Sequence, residues 1–122
     1  MSKSTKKYIR RERIKKGIRK RVNGTADRPR LSVFRSNKEI YAQIINDIDG
    51  KTIVAASSRS KDISEAANGK SKSQISKEVG MDLARKAKDA GVEVVVFDRN
   101  GYRFQGRVAA LAEGAREGGL NF

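Results

Sequence analysis

Apolar and polar positions alternate with a period of two once the chain passes Pro29. In Arg30–Ser36 (RLSVFRS), Leu31 and Val33 fall on one face and Ser32 and Phe34 on the other. Glu39–Ile45 (EIYAQII) repeats the pattern, with Ile40, Ala42 and Ile44 opposite Tyr41, Gln43 and Ile45. Such alternation marks strands with one buried face. Turn residues at Ser36-Asn37-Lys38 and at Asn46–Gly50 (NDIDG) join these strands to each other and to a third, Thr52–Ser57, which predicts an antiparallel meander. Ser58–Ser73 is a polar segment and reads as a loop by composition. The period then changes. Ile75, Val79, Leu83 and Ala87 recur every four residues with Ala84 beside them, which predicts a helix from Ser73 to Ala90, stopped by Gly91. The apolar run 92–97 predicts a fourth strand, buried on both faces. Val108, Leu111, Ala112 and Ala115 mark a second helix that Gly118-Gly119 ends. The order βββαβα predicts an α/β domain over residues 30–122, with no internal repeat.

The segment before Pro29 is different in kind. Its few apolar residues, Ile9, Ile14, Ile18 and Val22, form a thin stripe, compatible with a helix over residues 6–21 only if the surrounding charge is relieved. Thirteen Lys and Arg against two acids give +11 over residues 1–30, and 15 against 12 give +3 over residues 31–122. The arm, residues 1–29, therefore reads as a segment that orders on a polyanion, with a solvated tail as the alternative. Its phosphate-pairing candidates are Lys6, Lys7, Arg10, Arg11, Arg13, Lys15, Lys16, Arg19, Lys20, Arg21 and Arg28, continued by Arg30 at the junction.

Over all 122 residues the net charge is +14, which points to nucleic acid ahead of an anionic membrane surface. Without Cys the chain has no disulfide framework, no thiol nucleophile and no Cys-based zinc site. Without His it lacks the usual general base and the usual transition-metal ligand. No apolar run approaches a membrane span, and the basic amino end lacks the apolar core of a signal peptide. These features fit a soluble protein of a reducing compartment, with no cofactor and no bound metal.

The chemistry concentrates in FDRNGYRFQGR, residues 97–107, after the fourth strand. Asp98 is the best catalytic candidate, because a carboxylate at a strand end can bind a metal. Metal-dependent phosphoryl chemistry needs several converging carboxylates, and the other acids are scattered over turns and helix faces. Asp98 is therefore expected to hold the loop by hydrogen bonds or to pair with an arginine. The DIDG of residues 47–50 lacks the later ligands of a calcium loop. As a binding surface the segment is more coherent: aromatic rings stack on unpaired bases and arginines pair with phosphate. Arg99, Tyr102, Arg103 and Arg107 are its candidates, with Tyr102 and Phe104 on one side if the segment is extended, either facing RNA or plugging the core. Phe34, Arg35 and Tyr41 form a second basic-aromatic set, and Ser57, Ser58 and Arg59 end the third strand with phosphate-binding groups. Two rivals stand beside RNA binding. One is a Mg²⁺-dependent nuclease built on Asp98; the other is a basic membrane-surface or DNA-compacting protein that uses only the arm.

Residues 28–58 (RPRLSVFRSNKEIYAQIINDIDGKTIVAASS) and 94–122 (VVVFDRNGYRFQGRVAALAEGAREGGLNF) resemble bacterial large-subunit ribosomal protein eighteen, the 5S rRNA-binding family. The family's usual ending is similar to FDRGGYxYHGRV, with Asn100 and Gln105 here in place of a Gly and a His. The resemblance implies a non-enzymatic protein of the cytoplasmic ribosome. It would bind 5S rRNA and help attach it to 23S rRNA in the central protuberance. Its neighbours would be large-subunit protein five and other central-protuberance proteins, with no membrane involved. The implied fold is an α/β domain of the ribonuclease H-like, translational-machinery-component type, a mixed-sheet βββαβα unit with a basic amino arm and without that enzyme's active site.

Overall fold

The computed structural model describes residues 28–122, and the helix expected over residues 6–21 lies outside them. The meander forms as the alternation requires. Strand β1 (Arg30–Arg35) pairs antiparallel with β2 (Ile40–Asn46), and β2 with β3 (Lys51–Ser57). Leu31 sits opposite Ile44 and Val33 opposite Ala42, so the apolar faces coincide. Ser36 closes the first turn, its Oγ accepting from the Glu39 N–H at 3.2 Å. In the second turn Asn46 Oδ1 accepts from the Ile48 N–H at 3.1 Å, and Gly50 supplies a φ of +65°.

Two expected elements differ. Residues 58–73 are not all loop, because a short helix α1 (Lys61–Glu65) interrupts them. Its one buried side chain, Ile63, docks it on the core, and five residues are too few to show a period. The fourth strand β4 is Val96–Asp98 rather than 92–97. The run divides between two partners. Val95 N–H donates to the Asn121 carbonyl at 3.1 Å and the Asn121 N–H donates to Glu93, while Val96 onward pairs parallel with β1. Because β4 ends the sheet, in the order β3-β2-β1-β4, Val96 and Phe97 are only half-buried instead of covered on both faces. The result is a four-stranded mixed sheet with helices, as the ribonuclease H-like architecture requires.

Helix α2 (Lys72–Asp89) starts at a capping box: Ser71 Oγ accepts from the Gln74 N–H at 3.2 Å, and Gln74 Oε1 accepts from the Ser71 N–H at 2.9 Å. It rests on β2 and β3, and helix α3 (Gly106–Glu117) packs along it. Val79, Leu83 and Ala87 of α2 and Val108, Leu111 and Ala115 of α3 fill one core with Leu31, Val33, Ile40 and Ile44. The two helices approach closely through glycine. A Cβ on Gly80 would lie 2.1 Å from the Leu111 carbonyl oxygen, and one on Gly114 would lie 2.0 Å from that of Lys77. Both helices cover the same face of the sheet, so among the described residues no helix lies on the face bearing Phe34, Tyr41 and Gln43.

A buried arginine ties the sheet together on that second face. Arg30, 6 % exposed, donates from Nη1 to Asp98 at 2.7 Å and from Nε and Nη2 to Asp47 at 3.0 Å each. One guanidinium thus clamps the β2–β3 turn to the end of β4. Burial opposes the charge, but the hydrogen bonds and charges of Asp47 and Asp98 outweigh it and raise the guanidinium above its ordinary range.

Two stability tests follow from this packing. Helix propensity alone favours Ala over Gly by ~1 kcal/mol. Gly80→Ala and Gly114→Ala should nevertheless each destabilise the protein by about 1–3 kcal/mol, because the new methyl meets backbone that cannot yield. Thermal melting checks the sign, and a raised melting temperature would contradict the close approach. Arg30→Ala should cost about 3–5 kcal/mol in urea unfolding by leaving the Asp98 carboxylate buried without its cation. Arg59→Ala, on the surface, should stay within about 0.5 kcal/mol of the parent.

Candidate nucleic-acid interface

The uncovered sheet face is built from rows of cross-strand neighbours. Phe34 lies opposite Tyr41, which lies opposite Ser57; Ser32 lies opposite Gln43, which lies opposite Ala55. The Phe34 and Tyr41 rings are 6.0 Å apart, tilted by 42°, and Phe34 remains 48 % exposed. The face is concave, enclosing a groove of about 780 Å³ that runs from Asn100 across to Arg59 and Lys86.

The loop after β4 shapes one end. Asn100 takes a φ of +55°, a left-handed conformation that Asn tolerates better than most residues. Its N–H donates to Asp98 Oδ1 at 2.8 Å. Gly101 follows at φ +80°, and the Tyr102 N–H donates to the Arg99 carbonyl at 3.0 Å. The chain therefore turns here instead of extending, and Tyr102 and Phe104 do not share a side. Tyr102 is 7 % exposed; its hydroxyl donates to the Arg35 carbonyl at 3.1 Å and its ring meets Phe34 edge-on at 6.4 Å. Phe104, 49 % exposed, contacts Phe97 at 5.6 Å, and Phe97 stacks on Phe122.

Three other candidates are placed differently from a free binding group. Arg30 is committed to Asp47 and Asp98, as described. Ser58 is buried, its Oγ accepting from the Ile40 N–H at 2.9 Å and donating to the Glu39 carboxylate, where it closes the end of the sheet. Ser57 Oγ accepts from the Arg59 N–H at 3.0 Å and so shapes the turn that presents Arg59. Asp98 is fully buried, and its two oxygens serve Arg30 and Asn100. Among the described residues no group of three His, Cys, Asp or Glu is placed to hold a metal ion.

The other arginine candidates lie outside the Arg30 clamp. Arg35, its guanidinium 5.3 Å from the Tyr102 ring centre, lies close to Arg107, which donates to the Ser36 carbonyl at 2.9 Å. Burial first, and the like charge of Arg35 second, push the Arg107 guanidinium below its usual range. Such crowding of cations is unfavourable alone and is relieved by an anion. Arg99 donates to the Tyr102 carbonyl at 3.0 Å, Arg103 is exposed, and Arg59 has no carboxylate partner among the described residues. Arg28 is exposed at the entry to β1, and the arm candidates from Lys6 to Arg21 lie outside the described residues.

The structure adds Gln43, Asn100 and Lys86 to the site. Gln43 was legible, since it alternates with Tyr41 and Ile45. Lys86 was not, because it reaches the groove from α2, held by Asp82 at 3.1 Å and donating to the Ala55 carbonyl at 3.1 Å.

Residues 2–122 match the family described as ribosomal L18 of archaea, bacteria, mitochondria and chloroplast. A protein of Chloroherpeton thalassium is 59 % identical over 119 residues, covering 98 % of each chain. One of Sorangium cellulosum is 53 % identical over 116 residues, covering 95 % of this chain and 98 % of its own. One of Staphylococcus haemolyticus is 52 % identical over 122 residues, 100 % of this chain and 99 % of its own. All three bear the name large ribosomal subunit protein uL18. With its basic arm, its uncovered aromatic face and this extent of identity, the chain belongs to the ribosomal L18 family.

Proposed function

We propose that this chain binds 5S rRNA and helps attach it to 23S rRNA in the central protuberance, beside large-subunit protein five and its neighbours. The family and its named relatives support the coarser part, a structural component of the large ribosomal subunit and not an enzyme. The observation that carries RNA binding is the placement of charge. Arg59 stands at the rim of a sheet face that no helix among the described residues covers, Arg35 and Arg107 crowd together at the end of β1, and residues 1–29, with 12 Lys and Arg against two acids, carry +10. Cations crowded without carboxylates gain most from phosphate, through ion pairing and release of condensed counterions.

The nuclease reading loses support because the Asp98 carboxylate is occupied by Arg30 and the Asn100 N–H. No helix among the described residues is long and apolar enough to cross a membrane. A purely electrostatic arm would still bind any polyanion, so specificity is the deciding property. The chain should prefer 5S rRNA to a random duplex of equal length in direct competition, and equal affinity would defeat the proposal.

Salt dependence separates the arm from the domain. If the arm neutralises ~5 phosphates, deleting residues 1–28 should reduce the slope of log K against log salt by roughly 4. Arg107→Ala should weaken 5S rRNA binding and reduce the slope by about one unit or less. An unchanged slope after deletion would leave the arm without a role in binding.

A further inference from the structure

The groove on the uncovered face has features that ion pairing with a duplex does not explain. Its volume of about 780 Å³ falls within the ~300–1,000 Å³ of sites that enclose small ligands. Phe34 lines it, exposed to solvent and braced by Tyr41 at 6.0 Å and by Tyr102 at 6.4 Å. Tyr102 is itself held by its bond to the Arg35 carbonyl, so Phe34 stands on a rigid support. Gln43 lies in the adjacent row, its Oε1 engaged by the Thr52 hydroxyl at 3.1 Å, which leaves the amide N–H groups as donors. Arg59 and Lys86 stand at the rim, and no carboxylate lines the groove.

An aromatic platform, an amide donor beside it and, at the rim, Arg59 with no carboxylate partner among the described residues describe a ligand with a planar ring, carbonyl edges and a phosphate. That ligand is a nucleotide. In an A-form duplex the bases are stacked on one another and their faces are closed to side chains, whereas loops and bulges offer them. We propose that the groove seats one unpaired RNA nucleotide, its base on Phe34, its edge at Gln43 and its phosphate at the Arg59 rim. This rests on the RNA-binding reading above and assigns to the sheet face the recognition of single-stranded RNA. The arm and the Arg35–Arg107 pair are left to contact phosphates irrespective of base.

The inference is tested with the full chain and two probes, a short oligoadenylate and a blunt RNA duplex carrying the same number of phosphates. Phe34→Ala should weaken oligoadenylate binding about ten-fold, the size of one lost base stack, and change duplex binding less than two-fold. Phe34→Tyr should restore the oligoadenylate affinity. Phe34→Leu, which keeps apolar bulk but no ring, carries the same comparison should the Ala variant fold poorly. Equal losses on both probes, or a loss on neither, would overturn the proposal. So would a Phe34-dependent site that binds oligoglutamate and ignores oligoadenylate, since the groove would then be a peptide site. Preference for 5S rRNA over random duplex is measured separately. If that preference survives while the Phe34 effect is absent, only the groove assignment fails. If it is lost while the Phe34 effect persists, the 5S reading fails instead.

Discussion

Burial of the Arg30 guanidinium between Asp47 and Asp98 is the interaction on which the binding face depends. It joins parts of the chain that no strand pairing brings together, the turn after β2 and the end of β4. A buried ion pair is weak evidence for stability in general, because desolvation consumes most of the Coulombic gain. Its consequence here is geometric. With one Asp98 oxygen on Arg30, the other is free to accept the Asn100 N–H, which supports the left-handed turn at Asn100-Gly101. That turn returns the chain toward β1, brings Tyr102 against Phe34 and places its hydroxyl on the Arg35 carbonyl. The only ring of the loop that is buried thereby becomes the support for the ring of the sheet that is exposed.

The other constraint is that a four-stranded sheet with two long helices can bury one face only. Small residues let α2 and α3 lie close together over that face, with Gly80 and Gly114 at backbone contact. The opposite face keeps its aromatic side chains in solvent, an arrangement stability alone does not favour. Arg59 at its rim likewise has no carboxylate partner among the described residues, although acids are plentiful on the helices, where Lys77 pairs with Glu113 and Glu117, and Asp82 with Arg85 and Lys86. Acidic pairing is thus concentrated on the helical side, while on the other face Asp47 and Asp98 are both engaged by Arg30.

Much of this was legible from residue order. Alternation at Leu31/Val33 and Ile40/Ala42/Ile44 marked the buried face, and the four-residue recurrence from Ile75 to Ala87 marked α2, because burial on one side imposes the period of the element. The start of α2 was read one residue late, although Ser71 and Gln74 have the spacing of a capping box. Helix α1 escaped because Ile63 is its single buried residue. The strand at 92–97 was misplaced because strand propensity reports that a segment can pair and not with which partner. Half of that run pairs with Asn121 and half with β1.

The sequence by itself determined the α/β class, the buried face of the sheet and the concentration of positive charge before Pro29, since composition and short-range period act over a few residues. Which cation is buried and which is free was decided by the tertiary structure alone. Arg30 and Arg35 lie on one strand; alternation assigns them to opposite faces but does not say which of them meets a carboxylate. Arg30 meets carboxylates 17 and 68 residues away, and Arg35 meets an aromatic ring and another arginine. The same holds for Tyr102 and Phe104, two residues apart, whose burial is set by a turn at Asn100-Gly101 that a distant arginine stabilises through Asp98. Charge and aromaticity are properties of residues, but a binding surface is a property of their neighbours, and those neighbours are brought together only by the folded chain.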